Sequence, residues 1–354
     1  MSKHLSLHYG AAMSVCLFGC HLGLAQAQSS VTVYGRLDAS ALHINGPYSR
    51  SAVDEGIGAT SHIGFRGSED LGGGLSALFH LETKVGLDTG AAGAATNSGA
   101  FRSSGAGFFS RAAYVGLKSN AGILSLGRNS TSAVRALFNL NAIPVGINTG
   151  LGSNVAPQGI GSDFWNNNQI KYDSPSFGGF SLMANYAPGE TTGSSSRGRN
   201  MGAALFYRQA GLMLTAGYQK DEDVASPNSL NWSVLTAAYT AGDFKITAGY
   251  DRVKNPWNIA GWTDSRMWTL GGAYKVQPAI TLALQYFSTR DTGTRTTSSQ
   301  WVANGHYALS KRTALYVTAT RTDNRAIAIM PFYNTVGKAN AKANGLALGM
   351  QHTF

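Results

Sequence analysis

Apolar and polar residues alternate along much of this chain. In "SVTVYGRLDA" (30–39), Val31, Val33 and Leu37 share one parity, whereas Arg36 and Asp38 share the other. The same alternation returns at residues 75–85, 212–219, 244–251, 280–288 and 345–354. A period of two predicts β-strands with one apolar and one polar face, so the fold class is predicted to be all-β.

Alternation alone leaves open which face points inward. In a soluble sandwich, the valines would pack in a core and Arg36 would meet water. In a membrane barrel, the valines would face lipid, and Arg36 and Asp38 would line a lumen. Outside the first 27 residues, no apolar run approaches 18 residues, which excludes helical membrane spans.

The connections between the alternating segments are short and long in turn. Short turns are predicted at residues 69–74, 119–122, 174–179, 208–211, 240–243, 275–279 and 309–313. Long stretches rich in Gly, Ser and Asn are predicted at residues 44–57, 88–107, 129–166, 188–199, 221–230, 254–264, 290–299 and 323–342. This count predicts a 16-stranded antiparallel transmembrane β-barrel with both termini on the short-turn side.

Aromatic residues support the membrane interpretation. They recur near the predicted turns and loops, where amphipathic rings would lie at the bilayer interface: Tyr186, Tyr207, Tyr218, Tyr239, Tyr250, Trp268, Tyr274, Tyr286 and Tyr307. Aromatic residues of a soluble core are the alternative. The repetition on one parity favours the membrane barrel.

The first residues predict an exported protein. Lys3 precedes an apolar stretch at 11–25 that is too short for a resident span, and "AQA" (25–27) matches a small-x-small cleavage pattern. We therefore predict a signal peptide at 1–27 and a single barrel domain at 28–354. A lipoprotein box at "LFGC" (17–20) is the alternative, although Phe18 fits it poorly.

Composition excludes several kinds of site. Cys16 and Cys20 both lie in the predicted signal, so the mature chain has no disulfide, thiolate metal site or cysteine nucleophile. No cofactor or metal motif occurs. The formal net charge is +10, and it is +9 once Lys3 is removed with the signal. The basic residues are dispersed, which argues against a nucleic-acid partner.

Six segments, in order, carry a resemblance to a known family. They are "SSVTVYGRLDAS" (29–40), "IGFRGSEDLGGGLSALFHLE" (63–82), "SRAAYVGLKSNAGILSLGRN" (110–129), "IKYDSPSFGGFSLMANY" (170–186), "YALSKRTALY" (307–316) and the terminal "HTF". The chain resembles the trimeric general porins of Gram-negative outer membranes, in their beta-proteobacterial branch. The resemblance covers residues 29–354.

The resemblance implies a water-filled channel for passive diffusion of ions and small hydrophilic solutes. It also implies a homotrimer in outer-membrane lipid and lipopolysaccharide. The terminal Phe354, on the lipid-facing parity, would be the signal for the barrel-assembly machinery. In this family the long third loop folds into the lumen and faces a row of arginines on the inner wall. The loop here is predicted at 129–168.

Eight residues are candidates for the lining of the pore and its constriction. Alternation places some of them on the lumen side, Arg128 rests on the resemblance, and Arg135 belongs to the loop; the set is Arg36, Asp38, Arg66, Glu82, Lys84, Arg128, Arg135 and Lys171. Asp38 and Glu82 are candidates to pair with Arg36 and Lys84.

The loop departs from the family pattern, which carries a Pro-Glu-Phe-Gly stretch. Val145 stands where the glutamate would be, and Asp163 is the only acid of the loop. A basic wall, a loop with one acid and a positive net charge predict a mild preference for anions.

Three other functions stay open at this stage. A substrate-specific outer-membrane channel would have the same sequence pattern. A barrel enzyme would need a base or nucleophile beside a histidine, and no local Ser/His/Asp arrangement or HExxH motif occurs. An adhesin would use the long loops as its binding surface.

Overall fold

A computed structural model describes residues 30–93, 107–144, 164–226, 228–255, 264–326 and 338–354, so the predicted signal peptide lies outside the described residues. Most of the described chain is strand. The strands are β1 (Ser30–Asn45), β2 (Arg50–Glu55), β3 (His62–Gly72), β4 (Leu75–Lys84), β5 (Ala112–Ser119), β6 (Gly122–Ser130), β7 (Trp165–Asp173), β8 (Phe180–Ala187), β9 (Asn200–Gln209), β10 (Leu212–Glu222), β11 (Ser229–Ala241), β12 (Phe244–Lys254), β13 (Ser265–Gln277), β14 (Ile280–Asp291), β15 (Thr297–Ala308), β16 (Thr313–Asp323) and β17 (Lys342–Thr353).

The strands form one closed antiparallel barrel. Neighbours in sequence pair with each other, and β17 pairs with β1 to close the sheet. β2 pairs with the second half of β1 and β3 with its first half, so these two strands occupy one position in the barrel. The barrel therefore has sixteen strand positions, and the predicted fold class is confirmed.

One predicted connection is wrong. Instead of a long loop at 44–57, β1 and β2 are joined by residues 46–49, and the break falls at residues 56–61. Those six residues lie opposite only Leu37 and Asp38 of β1, so the surplus chain turns into the barrel and Ile57 is fully buried. Residues 50–55 have the polar composition of a loop. They form β2 nonetheless, because backbone pairing with β1, rather than burial of apolar side chains, holds them in the sheet.

The polarity of the strands is that of a membrane barrel. Val31 is 66% exposed and Leu235 is 55% exposed, whereas Gln219, Gln285 and Gln300 are fully buried. Apolar side chains therefore cover the outside and polar side chains fill the inside, as predicted for β1. No helix in the described part of the chain is both long and apolar enough to cross a bilayer.

A short helix, α1 (Ser132–Leu137), and a 3₁₀ turn (Phe138–Leu140) follow β6. Leu137 and Leu140 belong to an apolar cluster inside the barrel that also contains Trp232 and Phe287. This cluster is the core of the molecule. It lies between the segment after β6 and the inner wall.

The chain ends where the barrel closes. The backbone N–H of Phe354 donates to the carbonyl of Gly35, and the N–H of Gly35 donates to the carbonyl of Phe354, both at 3.1 Å. The Phe354 ring packs directly over Gly35, so a Cβ at position 35 would overlap the ring and would lie 2.7 Å from the His62 carbonyl oxygen. Closure thus requires glycine at this position.

We predict that Gly35→Val lowers the free energy of unfolding by about 1–3 kcal/mol, because the new methyl groups overpack the Phe354 ring and the His62 carbonyl. Urea titration of the folded barrel in lipid vesicles measures the change. Gly272→Val is the matched control, because the nearest atom to a Cβ there is 3.8 Å away. Equal stability of the two variants would contradict the prediction.

Candidate functional site

The helix α1 packs on the inner wall of the barrel at positions that have no side chain. A Cβ on Gly217 would lie 3.0 Å from the Cβ of Ala136 and 3.2 Å from the Cα of Ala133. Gly217 shares its parity in β10 with the buried Thr215 and Gln219, so it faces inward. Glycine therefore lets the helix approach the wall closely.

Polar side chains of the wall hold the same segment through its backbone. The Asn185 side-chain oxygen accepts a hydrogen bond from the Ser132 N–H at 2.8 Å. Further along, the Lys245 Nζ donates to the Asn141 carbonyl at 2.6 Å, and the Gln285 Oε1 accepts from the Ala142 N–H at 3.2 Å. The segment at 131–144 thus follows the inner wall.

Residues 145–163, about half of the predicted third loop, lie outside the described residues. Val145 and Asp163, on which the comparison with the family pattern depends, are among them. The fold-back of the complete loop into the lumen stays a prediction. The described start of the loop is consistent with it.

Arg135 is the one exposed residue of α1. Because the other five helix residues pack on the wall, the helix presents Arg135 to the interior space. It lies over the Phe138 ring, 5.8 Å from the ring centroid, and no described acid forms an ion pair with it.

A recess of about 250 Å³ lies between α1 and the wall formed by β4 to β8. Five charged residues contribute to it: Glu82, Arg111, Arg135, Lys171 and Asp173. Glu82 forms an ion pair with the Nε of Arg111, and the Arg111 guanidinium lies 4.7 Å from the centroid of the Trp165 ring. The structure therefore brings together three candidates, Glu82, Arg135 and Lys171.

Aromatic residues extend this site along β1, β3 and β4. The Tyr34 hydroxyl donates to the Glu82 Oε2 at 2.6 Å and also contacts the His80 Nε2. The exposed guanidinium of Arg66 lies 4.9 Å from the centroid of the Tyr34 ring. Arg66 thus joins the same wall through Tyr34.

The predicted pairing of Glu82 with Lys84 is wrong. Lys84 forms an ion pair with Glu55 at 2.7 Å, and Glu82 is held by Arg111. Glu55 was missed because the sequence placed it in a loop. Lys171 is buried, with its Nζ 3.6 Å from the Asp173 Oδ1.

Two candidate arginines lie apart from the recess. Arg36 is half-buried on the inward parity of β1, and its Nε has no hydrogen-bond acceptor among the described residues. Arg128 lies within a register shift between Gly127 and Asn129, which removes it from strict alternation. Its guanidinium donates to the Ser110 carbonyl at 2.7 Å and to the Asn167 Oδ1 at 2.6 Å.

Asp38 points into the barrel but does not meet water, which corrects the expectation of a lumen-lining charge. It is fully buried, and its carboxylate accepts hydrogen bonds from the N–H groups of Gly58 and Ala59, both at 3.2 Å. The Tyr316 hydroxyl and the Gln351 Nε2 also donate hydrogen bonds to the Asp38 carboxylate, at 2.8 Å and 3.1 Å. Asp38 therefore holds the inward segment 56–61.

Comparison with known proteins identifies the family. The model for the Gram-negative porin family matches residues 12–327. The chain belongs to this family. It is 29% identical to outer membrane porin protein 32 of Delftia acidovorans, over 94% of this chain and 96% of that protein. It is 28% identical to the major outer membrane protein P.IB of Neisseria gonorrhoeae, over 83% and 88%.

Among solved structures, the anion-selective porin from Comamonas acidovorans matches with a TM-score of 0.76 and 26% identity, covering 92% of this chain and all of that one. The resemblance to beta-proteobacterial porins is thereby confirmed. The protein is an outer-membrane porin, a channel for passive diffusion and not an enzyme.

Sequence reasoning missed Arg111 in this porin. It immediately precedes β5, where no alternation exists to assign it a face. The one available signal was its place in "SRAAYVGLK", a segment of the family resemblance. Tyr34 was also missed, because its place on the polar parity of β1 does not reveal that its hydroxyl contacts Glu82 and His80 on β4.

We predict that Asp38→Ala releases segment 56–61 of the porin, because the buried carboxylate is the acceptor for two backbone N–H groups of that segment. The free energy that holds the segment in place should fall by about 3 kcal/mol, since hydrogen bonds to a charged group are worth about 1.5–3 kcal/mol each. An Ala59→Cys reporter, buried in the parent, should then react faster with a water-soluble maleimide.

The matched control is Asp323→Ala, whose carboxylate forms ion pairs with Arg325 and Lys342 at 3.5 Å near the surface. That change should leave the labelling rate of the reporter unaltered, because surface pairs contribute little. Unchanged labelling in Asp38→Ala would show that Asp38 does not hold the segment.

Proposed function

We propose that this porin conducts small anions in preference to cations, with the recess beside α1 as the most basic part of its pore. Ions and small hydrophilic solutes are the permeants. The preference arises from charge in the wall and on α1, because the net charge at the narrowest point of a pore selects the ion.

The observation that carries this proposal is the difference in exposure between bases and acids inside the barrel. Arg66 and Arg135 are exposed. All but one of the described acids that point inward are covered or paired: Asp38, Asp54, Glu55, Glu82, Asp173, Asp221, Asp251 and Asp291. The exception, Asp70, is exposed at the short turn after β3, away from α1, where it accepts a hydrogen bond from the Gly72 N–H. A permeating ion therefore meets uncompensated positive charge.

Similarity to a solved porin structure supports the same preference for anions over cations. The solved relative from Comamonas acidovorans, 26% identical, is described as anion-selective. The sequence adds that Asp163 is the one acid in the residues outside the described ranges and beyond the predicted signal. Little negative charge is thus available to reverse the field of the arginines.

We predict that Arg135→Glu lowers the anion-to-cation permeability ratio about tenfold. A change of two charge units at about 6 Å from an ion in water is worth about 0.7 kcal/mol after screening, and it has opposite sign for the anion and the cation, so the ratio changes by about 1.4 kcal/mol. Reversal potentials across a planar bilayer in a KCl gradient measure the ratio. Lys311→Glu, an exposed residue of a short turn, makes the same charge change outside the recess and should leave the ratio nearly unaltered.

A parent porin that prefers cations would overturn the proposed selectivity. An equal shift in Arg135→Glu and Lys311→Glu would assign the selectivity to overall charge rather than to the recess.

We also propose that the porin is a homotrimer that associates through the outer face of β1 and β3–β6. A groove of about 560 Å³ on this face is lined mainly by apolar residues, including Val31, Val115, Leu124 and Leu126. The small residue Ala77 also lines it, and the Phe79 ring fills the space beside Gly67. The groove is therefore an apolar face on which a second copy can pack.

We predict that Leu126→Arg converts the trimer to monomers, because it places a charge in the proposed contact. Leu235→Arg, on β11, is the matched control, since both positions are outward-facing in mid-strand and a charge there costs about 2–4 kcal/mol of insertion. Light scattering of the detergent-solubilised porin measures the mass. Trimers in both variants would exclude this face, and monomers in both would indicate a general folding defect.

The remaining partners belong to the outer membrane. We propose that lipopolysaccharide surrounds the long-connection end of the barrel. We also propose that the assembly machinery recognises the terminal strand through Phe354. The exposed, lipid-side position of Phe354, next to Met350 on the same parity, supports this role.

A further inference from the structure

Three arginines on neighbouring strands face outward side by side. Arg252 of β12 is paired with Arg266 of β13, and Arg266 is paired with Arg290 of β14. We call these three residues the arginine ladder. They share the parity of lipid-facing residues such as Trp268 and Leu270, so their side chains lie outside the barrel. Strand spacing places them within about 10 Å.

Nothing described neutralises the arginine ladder. No ion pair with a described acid involves any of its members. The nearby Asp264 accepts a hydrogen bond from the Asn255 N–H, and Asp291 is buried. Residues 256–263 contain no acid. Like charges directly opposite one another destabilise a sheet, so a bound anion would relieve a real repulsion.

The arginine ladder lies at a defined depth. It is at the long-connection end of the strands, two residue pairs beyond Tyr250 and Trp268. The ring of Tyr286 lies 5.2 Å from Trp268 and 4.5 Å from Trp301, which forms a continuous aromatic row. Such rows mark the membrane interface, and long connections are extracellular in outer-membrane barrels. The ladder is therefore at headgroup level of the outer leaflet.

An apolar groove continues from the ladder toward the middle of the membrane. Its volume is about 550 Å³, and it is lined by residues that include Ile246, Trp268, Leu270, Leu284 and Trp301. Gly272 makes the hollow: it is paired with Ile246 on one side and Leu284 on the other, and a Cβ there would meet nothing closer than 3.8 Å.

We propose that the arginine ladder and this groove form one binding site for a phosphorylated lipid of the outer leaflet. The guanidinium groups bind its phosphate, and an acyl chain lies in the groove above Gly272. Arginine is suited to this role because its fork of N–H groups matches phosphate oxygens. The proposal rests on outer-leaflet lipid being a partner of this porin and is independent of its ion selectivity.

Native mass spectrometry of the detergent-solubilised porin, titrated with diphosphorylated lipid A, tests the site. We expect the triple variant Arg252→Gln, Arg266→Gln, Arg290→Gln to bind about 100-fold more weakly, since each basic residue beside an anionic lipid is worth about fivefold. The matched control replaces Lys275, Lys311 and Arg312 with Gln at the short-turn end and should bind like the parent.

Two further arms separate lipid from free phosphate. Gly272→Leu fills the groove without a charge change and should weaken binding of lipid A. Inorganic phosphate should not displace the lipid at millimolar concentration. Displacement by phosphate together with parent-like binding in Gly272→Leu would show an anion site only and would overturn the proposal.

The outcomes also distinguish a porin that does not bind lipid A from one that binds it elsewhere. If the parent does not bind lipid A, lipid partnership itself fails, and the site fails with it. If the parent and the ladder variant bind equally, or the control variant loses as much as the ladder variant, only this site fails. Heat-dependent mobility on denaturing gels shows that each variant is folded, and reversal potentials report the selectivity separately.

Discussion

Closure of β17 onto β1 is the constraint on which the rest of this porin depends. A bilayer offers no water to unpaired N–H and C=O groups, so a sheet within it cannot leave an open edge. The pairing from Arg36 and Thr353 to Asn45 and Asn344 removes that edge. The two reciprocal bonds between Gly35 and Phe354 complete the seam at its end.

Closure also reverses the usual arrangement of polar and apolar residues. Side chains such as Gln285 and Asn304 are enclosed and bond to neighbouring strands, as Asn304 does to Thr318 at 2.8 Å. Because those amides line the interior, the segment after β6 can be held through its own backbone. Asn185, Lys245 and Gln285 all bind it in this way, with glycine at the points of closest approach.

The same enclosure separates bases from acids. Inside the barrel, an acid is held where it has partners: Asp38 by backbone N–H groups and Glu82 by Arg111. Arg66 and Arg135 have aromatic rings beneath them instead, and these rings leave their charge exposed. On the outside, the arginine ladder is equally uncompensated, but it faces headgroups rather than the pore. One chain thus presents positive charge to two different environments.

The alternation of residues and the lengths of the connections determined the barrel, its sixteen positions and the inverted polarity of β1, because a period of two requires no knowledge of distant partners. The sequence also placed Arg66, Arg135 and Lys171 among the candidates. Only the tertiary structure decided which charged groups have which partners. Lys84 binds Glu55, Arg111 binds Glu82, and Asp38 is buried against residues 56–61. Partners distant in sequence depend on strand register and on surplus residues such as 56–61, and the period of a single strand does not encode either.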